Sequence, residues 1–105
     1  MRRTGDEVAF ENECGRLRRL ARSGARVRYT NHALEEMEKD RIFRIDVENM
    51  LPRCQVTKVE PTGFDETWRA EGRDSNGRLL VAVVVAEEEI RVIRVITSWI
   101  RKRQP

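Results

Sequence analysis

The sequence predicts an α+β fold, with N-terminal helices packed on a four-stranded antiparallel sheet. Three observations carry that prediction. Apolar residues recur at helical spacing as far as Pro52 and at a spacing of two after it. An Asn76-Gly77 pair, the strongest short hairpin signal, separates two extended runs. Between Leu79 and Ala86 the chain is apolar on both faces, as a central strand must be. The 105 residues suffice for one domain, helical over about residues 4–52 and sheet over about 55–99. Charged residues reach 37% against 39% hydrophobic, but the apolar ones cluster periodically, which excludes a disordered chain.

The elements follow in order. Thr4-Gly5-Asp6-Glu7 fits a capping box. Phe10, Cys14, Leu17 and Ala21, widened by Leu20, then make the apolar stripe of a first helix that Gly24 closes. Val27-Arg28-Tyr29 is a short extended segment. Thr30 or Asn31 caps a second helix running to Lys39, with Ala33, Leu34 and Met37 toward the core. A third helix runs from about Ile45 to Leu51 and ends at Pro52; Arg44 is a poor cap for its start. Gln55 to Glu60 is the first strand, followed by a turn-rich loop from Pro61 to Asp65. From Thr67 to Arg73, Trp68, Ala70 and Gly72 point one way and Thr67, Arg69, Glu71 and Arg73 the other. A two-residue turn at Asn76-Gly77 would pair Arg73 with Leu80, Glu71 with Ala82 and Arg69 with Val84. Glu87 to Glu89 turns the chain into a last strand, Ile90 to Thr97, and the tail from Arg101 frays. A two-residue turn there aligns Arg91 and Thr97 with Arg69, and a three-residue turn substitutes Arg94.

The cations are almost all arginine, a residue suited to bidentate phosphate contacts and base stacking. With a net charge of +3, an anionic partner is one reading and codon bias the other. Cys14, Cys54 and the lone His32 have no metal-ligand spacing, so no metal or cofactor is expected and both thiols should be free and buried. No apolar run follows Met1-Arg2-Arg3 and none spans a bilayer, so the expectation is a soluble cytoplasmic protein.

His32-Ala33-Leu34-Glu35-Glu36-Met37, then Arg41-Ile42, Val47-Glu48-Asn49-Met50-Leu51, Gly77-Arg78-Leu79-Leu80-Val81 and Ile93-Arg94-Val95-Ile96-Thr97 resemble a widespread bacterial family of unknown function. The resemblance covers roughly Val27 to Thr97. The wider layout is similar to MqsR, a toxin family of the RelE fold. That likeness implies a messenger-RNA-cleaving toxin paired with an antitoxin protein, with Lys58 and Arg69 at functional strand positions. The chain departs from the toxin at Leu80, where a tyrosine would stand, and near Trp99, where no late lysine aligns.

Metal-free RNA cleavage needs a base, cations for the crowded phosphate and an acid. Glu71 could be the base, Arg69 and Arg73 the clamp, and Lys58 the acid or electrostatic stabiliser. His32, at a helix start where the dipole favours the neutral ring, is a second candidate base or a structural residue. Arg41, Arg91, Arg94 and Thr97 are candidate RNA contacts. The competing readings are a solvated face of alternating charge, a non-catalytic module that binds nucleic acid or protein, and a small regulator from a mobile element.

Overall fold

The expected capping box at Thr4 to Glu7 lies outside residues 10–102, which the computed structural model describes. Helix α1 (Glu11–Arg22) buries Cys14, Leu17 and Leu20 on one stripe and ends at Ser23, ahead of Gly24 at φ 85°. Strand β1 is Arg26–Tyr29 and helix α2 is Asn31–Lys39. Thr30, not Asn31, caps α2: its hydroxyl accepts the Ala33 N–H at 3.0 Å. The same hydroxyl donates to the Ile96 carbonyl at 2.9 Å, tying the helix start to the last strand. Helix α2 closes with paired bonds from the Arg41 N–H to Glu38 O and from the Ile42 N–H to Met37 O, at 3.2 and 2.8 Å. Arg41 occupies the left-handed position, φ 55°, that glycine usually fills. Helix α3 (Arg44–Met50) starts cleanly, because the Asp46 carboxylate accepts the Phe43 N–H at 2.8 Å. A 3₁₀ turn over Leu51–Arg53 carries Pro52 and leads into the sheet.

Among the described residues the sheet has five strands, not four, and is mixed. Strands β2 (Gln55–Thr62), β3 (Asp65–Arg73), β4 (Leu79–Glu87) and β5 (Val92–Ile100) form the expected antiparallel meander. Strand β1 adds parallel to β5, with Arg26 opposite Val92 and Tyr29 opposite Val95, giving the order β1-β5-β4-β3-β2. A consecutive-hairpin reading cannot find that pairing, because two helices and three strands separate the partners in the chain. Strand β4 holds the centre, as its two-sided apolar pattern requires.

One register differs from expectation, and a bulge sets another that the sequence leaves open. At Asn76-Gly77 the Asp74 N–H donates to Arg78 O and the Gly77 N–H to Asp74 O, both at 3.0 Å, with Gly77 at φ 81°. This is a three-residue loop, a tight turn closed by a left-handed glycine. It pairs Arg73 with Leu79, Glu71 with Val81 and Arg69 with Val83, one residue from the two-residue register. Asp74 dictates the longer loop: its buried carboxylate accepts the Asn76 and Arg78 N–H groups at 2.9 and 2.8 Å and Arg78 Nε at 2.7 Å. In β5 the pairing slips between Val83 and Val84, so that Thr97 faces Val83, Val95 faces Val84, and Ile96 bulges.

One sheet face carries the helices. Trp68 and Ala70, Leu80, Ala82 and Val84, and Ile93 and Val95 meet Leu17, Met37, Val47, Met50 and Leu51 in one core. Gly72 lets α3 lie close: a Cβ there would come within 2.7 Å of Met50 Cγ. Helix α1 covers the outer edge of β2, where Cys14 Sγ accepts the Val56 N–H at 3.0 Å and Arg18 Nε donates to Cys54 O at 2.6 Å. Both cysteines are free and buried, and burial pushes the Cys54 thiol up to about 12. Among the described residues no helix is long and apolar enough to cross a membrane.

Thr30→Val removes a cap and the tie to β5 together and should cost about 1–2 kcal/mol, read from urea unfolding. For Asp74, burial pushes its carboxyl up, but the Arg78 guanidinium and the two loop N–H groups outweigh it and hold the group below the usual carboxylate range. Its folded value lies under its unfolded value. The contribution is therefore complete above about pH 4 and lost as the pH falls through the depressed folded value. Asp74→Asn should lower stability at pH 7, and the gap to the parent protein should shrink in melts below about pH 4.

Candidate functional site

The sheet face away from the helices is built by register. Lys58 stands opposite Arg69, Arg69 opposite Val83, and Val83 opposite Thr97. One row along, Gln55, Glu71, Val81 and Trp99 align. On the far side Val85, Arg94 and Arg28 align. The bulge at Ile96 resolves the parity question in β5. Arg94 before it, and Thr97 and Trp99 after it, all reach this face, while Ile93, Val95 and Ser98 turn inward. The floor is apolar: Val81 and Val85 are buried although α1, α2 and α3 lie on the other face.

Glu71 is the electrostatic centre. It is only 8% exposed. Its Oε1 accepts from Arg101 Nη1 at 3.0 Å, and its Oε2 accepts the Thr57 hydroxyl at 2.8 Å and lies 3.4 Å from Arg69 Nε. Arg69 Nε also donates to Thr57 at 3.1 Å. One carboxylate thus holds two guanidinium groups side by side, with donors to spare on each. A hollow of about 140 Å³ lies beside them, lined by Lys58, Glu60, Thr67, Arg69, Val83 and Trp99. A larger one of about 310 Å³ opens between Arg69, Glu71, Arg101 and Phe10. Lys58 pairs loosely with Glu60 at 3.4 Å, and Arg94 spans from β5 to Asp65 at 3.3 Å.

The expected residues therefore divide. Lys58, Arg69, Glu71, Arg94 and Thr97 come together on one face. Arg73 shares the strand, but its guanidinium turns back to donate to Gly77 O at 3.1 Å. Arg91 lies at the turn before β5, at φ 56°, and donates to Ser23 O. Arg41 belongs to the helical layer. His32 is exposed in the first turn of α2, next to β1 at the opposite sheet edge from Lys58. Its charged neighbour Glu36 is held below the usual carboxylate range chiefly by Lys39, with a smaller contribution from His32.

Thr57, Trp99 and Arg101 complete the site without having been expected there. Arg101 is no frayed tail: its N–H donates to Leu79 O at 2.9 Å, continuing the β4 pairing. The period-two series Thr97, Trp99, Arg101 carried that signal. Thr57 was hidden because β2 shifts register between Val56 and Lys58. Removing Glu71 leaves Arg69 and Arg101 facing each other without an anion. Glu71→Ala should lose about 1–3 kcal/mol in chemical unfolding, and adding Arg101→Ala should return part of it.

Residues 29–99 match the family described as domain of unknown function DUF4258, and the chain belongs to that family. No curated protein and no solved structure is similar enough to count as a match.

Proposed function

For this member of a family without an assigned function, we propose that the sheet face opposite α1, α2 and α3 binds single-stranded RNA, in the manner of a toxin-like RNA-directed protein. The observation that carries this reading is the clamp of Arg69 and Arg101 on Glu71. Two guanidinium groups fixed in place bind a phosphate with little ordering cost, each through N–H donors that Glu71 leaves free. Trp99 and the Val81–Val83 floor lie beside the clamp and offer a surface on which an unpaired base can stack. Lys58, Arg94 and Arg28 extend the positive track across the strands. A protein partner covering this face would act as an antitoxin by masking the track.

Metal-independent cleavage is the second reading, favoured by the register that brings Lys58, Arg69 and Glu71 onto one face. Glu71 would serve as base only after Arg101 or Thr57 releases an oxygen, since both oxygens are bonded. Lys58, half-exposed beside Arg69, would face the leaving oxygen. RNA entry would itself supply the release, because a phosphate competes with the carboxylate for the guanidinium groups.

The test is fluorescence anisotropy with a single-stranded RNA across a salt series, followed by denaturing gels of the same samples in chelator. Arg69→Ala and Arg101→Ala should each weaken binding and flatten the salt slope by about 0.7 for every phosphate the variant no longer neutralises. Glu71→Gln should weaken binding, because a neutral amide no longer fixes the two guanidinium groups in place. Intact RNA throughout selects binding alone; cleavage by the parent that Glu71→Gln abolishes selects the enzyme. Affinity unchanged in both arginine variants would rule out this face.

A further inference from the structure

A second surface lies on the helical layer, on the other side of the molecule from the sheet face just described. The connection from α2 to α3 lines an open groove of about 540 Å³, in which Leu34, Ile42 and Phe43 are the apolar wall. Phe43 is 69% exposed and Ile45, two residues on, is 57% exposed. Large apolar side chains that cluster in the open at one connection mark an interaction surface more often than isolated ones do.

Charge says what kind of partner fits. Arg16, Arg69, Arg78, Arg94 and Arg101 all have carboxylate partners within the chain. Arg41 and Arg44, which flank the apolar wall, have none among the described residues. Arg44 instead lies over the Tyr29 ring at 5.3 Å, and the Tyr29 hydroxyl donates to Glu48 at 2.8 Å, holding that rim in place. Glu38 also lines the groove, on the α2 side, so the positive rim is on the Arg41 to Arg44 side.

The local backbone breaks two ordinary preferences here. Arg41 sits in the left-handed conformation where glycine is the easy choice. Phe43 takes an N-cap position that serine, threonine or aspartate would fill more favourably. Stability is given up at both positions, and what the chain presents in return is a cation and an exposed aromatic ring at the mouth of one groove.

We propose that this groove docks an acidic amphipathic helix of a protein partner, its apolar side chains against Phe43, Ile42 and Leu34 and its flanking carboxylates on Arg41 and Arg44. The groove does not share residues with the RNA face, so docking leaves that face uncovered, and the inference stands whether or not the RNA reading does.

The experiment displays a library of helical peptides, varied in charge around fixed apolar positions, and selects against the full chain with Phe43→Ser as counter-target. Phe43→Ser supplies a better helix cap, so its melting temperature should be at least that of the parent, which keeps the comparison between folded proteins. Enriched peptides should carry carboxylates beside the apolar positions and lose about tenfold or more in affinity against Phe43→Ser and against Arg41→Glu. Their amide shift changes should centre on Leu34 and on Arg41 to Arg44. No enrichment over the counter-target, enrichment of cationic peptides, or shifts confined to the sheet face would each overturn the proposal. So would a dimer in sedimentation equilibrium that Phe43→Ser dissolves, since that would give the groove to a second copy of the chain.

Discussion

The hydroxyl of Thr30 is the junction on which both layers depend. It accepts from Ala33 to start α2 and donates to Ile96 at the bulge of β5. Without a fixed bulge, the residues beyond it would exchange faces, because a strand's side chains alternate. Trp99 and Arg101 would then turn toward the helices, and Ser98, now bonded to Val81 O at 2.7 Å in the core, would turn outward. A single side chain in the helical layer thus stands behind the composition of the opposite face.

That face is ordered by one buried acid among several cations. An isolated carboxylate with so little exposure would be costly, and Glu71 is stable there because a hydroxyl and two guanidinium groups satisfy it. The relation is reciprocal. Arginine side chains lose considerable freedom when fixed, and the carboxylate has already taken that loss before any anion arrives. The same arrangement limits acid-base chemistry, since a base already bonded at both oxygens must first be released.

Much of this was legible from local pattern. The helical stripe from Cys14 to Leu20, a cap at Thr30 or Asn31, the alternation from Thr67 to Arg73 and the two-sided strand from Leu79 each follow from the spacing of neighbours. The shared face of Lys58, Arg69 and Glu71 was legible in part, with the side of Lys58 left open. What escaped depends on pairing at a distance. Strand β1 has only four residues, and its partner is the last strand. The slip at Ile96 leaves no mark in composition, and the Asp74 loop lengthens a turn that Asn-Gly alone would make shorter. Arg101 reads as a tail if the apolar pattern is taken to end at Thr97, but β5 runs on to Ile100. His32 is the only histidine, yet rarity in a sequence says nothing about where a side chain lies.

The cover that α1 gives to β2 has a consequence for how copies of this protein meet. An open strand edge is a template on which another chain can extend the sheet. Here the Val56 N–H and the Cys54 carbonyl are already taken by Cys14 and Arg18, and farther along Lys58 brings charge and Pro61 lacks a donor. A thiol and a guanidinium on a helix thereby do for this edge what a sixth strand would do, and growth of the sheet from chain to chain is blocked where β2 begins.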